Sequence, residues 1–229
     1  MAMDMELEAV LRPPEAPQPP YPAKVITLAN GKRLVVREVT RADVPTLLKV
    51  VHPTLFIEKD YYNVVGARLY SELLAWQYYR VQNEFCLVGQ IDGILVGMVN
   101  SRMYTAETGM SLHTLAIDRG LRIGAHLFAA KMEHHIEFLG QKEVLIVAES
   151  PIGFRRWMTE YGLEPTTIPH ELGGAPAYRL TRQLYFDSKP RLVVGDRPVP
   201  DDLLAVAQAK IIAADESMIR EKIAGLKGR

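Results

Sequence analysis

The dipeptide Asp92-Gly93 stands between two apolar runs, FCLVG from Phe85 and ILVGMV from Ile94. Asp-Gly supplies the positive backbone angles of a tight turn, so this segment is held to an antiparallel hairpin. Asn30-Gly31 does the same inside VITLANGKRLVVREV, which predicts two more antiparallel strands near the start of the chain. EVLIVAES, Glu143 to Ser150, is an almost unbroken apolar run of strand length and reads as a central strand covered on both faces. MSLHTLAID, Met110 to Asp118, is a further extended run, and AYRLTRQLYF, Ala177 to Phe186, alternates as a last strand.

Helical spacing fills the intervals. Val44, Leu47, Leu48 and Val51 recur at helical period behind a cap at Thr40 or within Arg41-Ala42-Asp43. Val65, Leu69, Leu73, Trp76 and Tyr79 predict a second helix over about 63–81, its aromatics read as core. After the turn RGLRIG, one apolar face runs through Leu121, Ala125, Phe128, Met132, Ile136 and Leu139, and Gly140 closes the helix. Pro151 opens another helix that stops at Gly162, and a terminal helix is expected from about Asp201 to Leu226. Its stripe of Leu204, Ala207, Ile211, Met218, Ile219 and Ile223 reads as a sticky face.

At 229 residues, the chain is one generous domain or one domain with appendages. Lys plus Arg and Asp plus Glu are 27 each, so no overall field draws in polyanions, and nucleic-acid binding driven by bulk charge is excluded. The one cysteine, Cys86, excludes an internal disulfide and any multi-cysteine metal site; between Phe85 and Leu87 it reads as a buried strand thiol. Six of the fifteen prolines fall within residues 12–22, which predicts an extended arm. The expected organisation is an acidic, proline-rich arm (1–23), a folded domain (24–186) and an extension with an amphipathic helix (187–229). MAMDMELEAVL lacks the character of a secretory signal or transit peptide, and no run of eighteen apolar residues occurs, so a soluble cytoplasmic protein with no membrane span is expected.

Four segments together resemble the GCN5-related N-acetyltransferase (GNAT) family over about Lys32 to Leu184. They are LVVREVTRADVPTLL, LVGQIDGILVGMVNS, LAIDRGLRIGAHLF, and GFRRWMTEYGLEP with AYRLTRQL. The resemblance implies an α/β (α+β) fold with a mixed, mostly antiparallel central sheet flanked by helices. It implies acetyl-CoA as a substrate, whose pyrophosphate meets a glycine turn patterned as Arg or Gln, two residues, Gly, one residue, Gly or Ala. Bare N–H groups and the positive end of a helix bind phosphate oxygens, and glycines let the ligand approach the backbone.

Here the matching positions are Arg119, Gly120, Ile123 and Gly124, with Ile117 before them and Arg122 where a middle glycine is expected. The shortened lead-in Ile117-Asp118 also departs from the pattern. Arg122 either crowds a phosphate or, being cationic, holds one; a shifted register would put Arg122 first, and an ordinary helix start with no ligand is the plain alternative. Arg155, with Arg156, is a candidate phosphate partner or else a solvated helix face.

The family's catalytic helix carries a Tyr that protonates the leaving thiolate. The equivalent positions here read Pro151, Phe154, Trp157-Met158 and Gly162-Leu163, so Met158 replaces the acid. Tyr161 substitutes only if the helix is rotated. A general base for the amine is expected at His113 or near Glu107. His134-His135 point about 100° apart on a helix and cannot share one ion, so no metal is assigned.

Two functions follow. One is an N-acyltransferase that moves acetyl from acetyl-CoA to a small-molecule or protein amine by direct attack. The other is an inactive GNAT-fold assembly protein, for example a bacteriophage virion component. In either case a homo-oligomer or larger assembly through the arm and the terminal helix is expected.

Overall fold

The computed structural model describes residues 5–170 and 176–224. Eight strands form one sheet: β1 (Lys24–Thr27), β2 (Arg33–Val39), β3 (Glu84–Ile91), β4 (Ile94–Met103), β5 (Thr108–Ala116), β6 (Glu143–Ile146), β7 (Glu164–Pro169) and β8 (Pro176–Thr181). Their order is β1-β2-β3-β4-β5-β6-β8-β7. Every neighbouring pair is antiparallel except β5 and β6. This is the mixed, mostly antiparallel sheet expected. Asp92 at φ 53° and Gly93 at φ 78° turn the β3–β4 hairpin, and Gly31 at φ 80° turns the first.

Alternation along β3 sets the two faces. Cys86 and Val88 enter a core shared with α2 (Val44–Val51) and α3 (Tyr62–Gln77), while Phe85 and Leu87 meet α4 (Ile123–Glu133) on the other side. A π turn, His134–Phe138, continues α4. α5 (Pro151–Tyr161) and α6 (Arg182–Leu192) pack with α4 around Trp157, Tyr161 and Tyr185.

The feature that makes a site is a mismatch of length. β5 pairs with β6 only over Thr108–Ser111, opposite Glu143–Ile146. β6 ends there, because Ser150 and Pro151 must open α5, while β5 continues to Ala116. The two strands therefore part, and the sheet opens like a V on the side of the α4 and α5 N-termini.

Several expected elements differ: the strand expected from Glu143 to Ser150 ends at Ile146, and the helix expected over about 63–81 ends at Gln77, leaving Tyr79 outside it. The last strand stops at Thr181, whose hydroxyl accepts the Leu184 N–H at 3.2 Å and caps α6. The alternation through Phe186 does not register that cap. The terminal helix is two helices, α7 (Asp201–Ala209) and α8 (Glu216–Ala224), and its expected end at Leu226 lies outside the described residues. Between them Ile212 is extended: its N–H donates to Gly93 O at 3.0 Å, and its carbonyl accepts from Leu95 at 2.9 Å.

The arm and the terminal stripe both serve the chain itself. A short helix, α1 (Met5–Val10), precedes the proline segment, and Glu8 pairs with Arg80 at 2.9 Å. Arg12 and Arg41 each lie over the Tyr79 ring, and the Ala16 N–H donates to Asn83 at 2.8 Å. Ala207, Ile211, Ile219 and Ile223 are buried against the chain's own core, so most of the stripe is covered, while Met218 stays exposed and Leu204 half-buried. Among the described residues no helix is long and apolar enough to cross a membrane.

Candidate active site

A cleft of about 250 Å³ occupies the V. Its walls are the end of β5 (Thr114–Ala116), the turn from Asp118 to Gly124, the start of α5 with Trp157, and Tyr62 and Val65 from α3. The turn is built from left-handed backbone: Gly120 has φ 90° and Arg122 has φ 59°. Arg122 thus adopts the conformation for which glycine is the usual choice, which explains how a non-glycine residue stands there and keeps the turn's shape.

From Arg122, the N–H groups of Ala125 and His126 both bond to its carbonyl, at 2.9 and 3.0 Å. Those of Ile123 and Gly124 take no partner among the described residues, and α4 has no side-chain cap. They sit at the positive end of the helix on the cleft wall. α5 also begins at the cleft, where the Ser150 hydroxyl accepts the Gly153 N–H at 3.1 Å.

The cations around the turn are held by acids. Arg119 pairs with Asp60 and lies 5.7 Å from the Tyr62 ring centre; Arg122 pairs with Glu160 at 2.8 Å. Asp60 and Tyr61 both have positive φ, 53° and 63°. Burial pushes the Tyr62 hydroxyl up to about 12, and it donates to Ala116 O at 2.7 Å.

Toward the apex of the V the cleft continues into a narrow extension of about 50 Å³, lined by Leu112, Phe128, Trp157 and Glu149 among others. Trp157 stacks on Phe128 at 3.9 Å with the rings 8° from parallel. Glu149 accepts from Arg68 Nη1 at 3.2 Å, and its other oxygen lies 2.8 Å from His113 Nδ1. His113 is fully buried behind it, and its Nε2 has no partner. Lys131 is fully buried beside them and donates to His113 O at 3.1 Å. Burial pulls its ammonium down to about 7.

Of the residues named from sequence, Arg119, Gly120, Arg122, Ile123 and Gly124 come together on the cleft. His113 lies behind the apex, one contact removed from the lining. Four are placed elsewhere. Ile117 is buried in the core and its N–H donates to Val96 O at 2.8 Å, so it offers nothing to a ligand. Arg155 is exposed and off the cleft; Arg156, rotated by about 100° on the helix, lines it instead. Glu107 is exposed, pairs with Lys142 at 2.5 Å, and stands just before β5, about 30 Å along the strand from its end at the cleft. Tyr161 is buried edge-on to Phe128 and faces a separate cavity with His126 and Arg191; burial pushes its hydroxyl well up, which makes it a poor acid.

Sequence reasoning did not reach Asp60, Arg68 and Glu149. Each depends on a contact across 36 or more residues. The one local sign is that Glu149 precedes the Ser150-Pro151 helix start. His135 is consumed by Ser101 and Gln141, and among the described residues no group of three or more His, Cys, Asp or Glu is placed to hold a metal ion.

No family model and no curated protein matches the chain. Solved structures do. An uncharacterized protein from Bacillus halodurans superposes with a TM-score of 0.52 at 14% identity, covering 74% of this chain and 95% of that one. Apo FdhC, described as a nucleotide-linked sugar GNAT, has a TM-score of 0.50 at 10% identity, covering 78% and 100%. The GNAT domain of PAT from S. lividans has a TM-score of 0.50 at 12% identity, covering 72% and 99%. The chain has the GNAT fold.

Proposed function

We propose that the chain is an N-acyltransferase that carries acetyl from acetyl-CoA to an amine by direct attack, acting in the cytoplasm. The observation that carries this reading is the open V between β5 and β6, with the unpartnered N–H groups of Ile123 and Gly124 on its wall. They would bind the pyrophosphate, with Arg119, Arg122 and Arg156 beside them. The thioester would lie toward the apex, between β5 and the Trp157–Phe128 stack.

The amine nitrogen attacks the thioester carbonyl, the new N–C bond forms, and the C–S bond breaks to release the CoA thiolate. Met158 has no proton to give. The parent thiol has a pKa near 8.5 by analogy with cysteine, so water supplies the proton. Holding both reactants in one cleft supplies the main acceleration.

Calorimetry with acetyl-CoA tests the reading: saturable heat is expected, weakened in Gly124→Val. No heat at millimolar ligand refutes it. The second reading, a GNAT fold kept for assembly without chemistry, is favoured by Met158 in the acid's place and by the carboxylates already holding Arg119 and Arg122. A protein that sediments as a monomer at high concentration while binding acetyl-CoA rules that reading out.

A further inference from the structure

Glu149 lines the narrow extension at the apex of the cleft, and Arg68, which is not one of the lining residues, reaches it from α3. Glu149 is a nearly buried carboxylate, its side chain 7% exposed, while Arg68 is 40% exposed, and the two are 3.2 Å apart. Arg68 comes from α3, three residues beyond Val65 and so its neighbour on the helix surface; Val65 lines both the cleft and its extension. The guanidinium uses one nitrogen on Glu149, which leaves donor capacity for a second carboxylate in the fork geometry arginine favours.

The supports behind the pair point the same way. His113 holds one oxygen of Glu149 and is itself fixed by its backbone N–H to Asn100 at 3.0 Å. The charged or titratable groups facing Glu149 are Arg68 from α3, His113 from β5, Lys131 from α4 and His170 after β7. Of the groups facing Glu149, Arg68 alone is well exposed, while Glu149 itself lines the extension.

We propose that the acceptor is an amine that carries a carboxylate close to its nitrogen, an α-amino acid in the simplest case. Its carboxylate meets Arg68 and its nitrogen meets Glu149. This rests on the acyltransferase reading given above. The incoming ammonium gives up one proton to solvent before attack. The neutral amine then forms the N–C bond as the C–S bond breaks; its remaining excess proton passes to Glu149 and on to solvent, and water protonates the thiolate. Atoms and charges balance without any further reactant.

The test uses the full-length protein with acetyl-CoA and a panel of free amino acids, each beside its methyl ester, read by thiol release. A free amino acid is expected to exceed its ester by about tenfold to a hundredfold in kcat/KM, the range for a hydrogen bond to a charged group. Arg68→Met should abolish that preference and Arg68→Lys restore part of it, with acetyl-CoA affinity unchanged in both. Esters turned over as well as acids, or a preference that survives Arg68→Met, overturns the proposal. Ligand-observed NMR with the same panel separates the two layers: acetyl-CoA binding without binding of any free amino acid overturns the acceptor assignment alone. Absence of acetyl-CoA binding overturns the reading beneath it, and amino-acid binding that depends on Arg68 would still stand.

Discussion

Removing the charge of Glu133 should cost more than any other single polar change away from the cleft. The carboxylate, 6% exposed, accepts from Tyr21 at 2.6 Å, from Lys24 at 2.8 Å and from Arg197 at 2.9 and 3.0 Å. Burial alone would raise its pKa, but Arg197, Lys24 and Tyr21 outweigh that and hold it at about 2. Against an ordinary value of 4.5, that shift corresponds to roughly 3 kcal/mol at neutral pH.

Glu133→Gln keeps the shape and leaves the Lys24 ammonium, 1% exposed, without its anion. Breaking a buried pair in this way costs about 3–5 kcal/mol, in line with the figure from the pKa. For a chain of this length each kcal/mol lowers Tm by about 2–4 °C, so a loss of about 10 °C is expected at pH 7. The acid side gives a second reading. A depressed carboxylate contributes stability above its unfolded pKa and loses it as pH falls toward 2, so the wild type should weaken from about pH 4.5 downward and the variant should not show that component. Urea titration followed by circular dichroism at pH 7 and pH 3 measures both. Lys24→Met with Glu133→Leu should recover part of the loss, since burial also depresses Lys24 and charges that pair with a desolvation cost. A Gln variant within about 0.5 kcal/mol of wild type, or one with an unchanged acid limb, refutes the reasoning.

Three further outcomes can be checked. Gly124→Ala should leave Tm almost unmoved, because its Cβ would meet Ala116 at an ordinary 3.5 Å, while weakening acetyl-CoA binding about tenfold by intruding on the cleft; equal affinity by calorimetry would place the ligand elsewhere. Gly109→Ala puts a Cβ 2.7 Å from Gln141 Oε1 and against the His135 ring, so a loss of about 2–3 kcal/mol in urea titration is expected. Lys131, drawn down to about 7 by burial, binds fewer protons folded than unfolded between pH 7 and about 10, so stability should rise with pH across that window, by a total on the order of 4 kcal/mol. Lys131→Met should flatten that rise.

Much of the sheet was legible because its turns are chemically specific: Asn30-Gly31 and Asp92-Gly93 leave few options but hairpins, and both form. The glycine turn was marked by its residues, but that Arg122 would take the left-handed conformation in it was not, since the side chain at 122 gives no sign of its backbone angle. What escaped was decided by distance in the chain. Ala177 to Phe186 alternates throughout, and only the cap that Thr181 makes divides strand from helix. The stripe from Leu204 to Ile223 keeps a helical period across a break with neither Gly nor Pro, and the break exists because Ile212 finds the turn after β3. Glu149 gave little local sign, since what marks it is an arginine 81 residues earlier. Arg155 and Arg156 differ only in the angle at which α5 is docked, which no local pattern records.

The grip on Glu133 also sets when the chain closes. Tyr21 and Glu133 are 112 residues apart, and Arg197 reaches Pro22 O at 3.0 Å across 175 residues. Contacts of such long separation are entropically expensive to form and are expected late, after the hairpins have assembled the sheet. Bonds absent from the folding transition state act on the unfolding rate. The segments that fasten both ends of the chain to α4 should therefore lengthen the lifetime of the native state while leaving the refolding rate almost untouched.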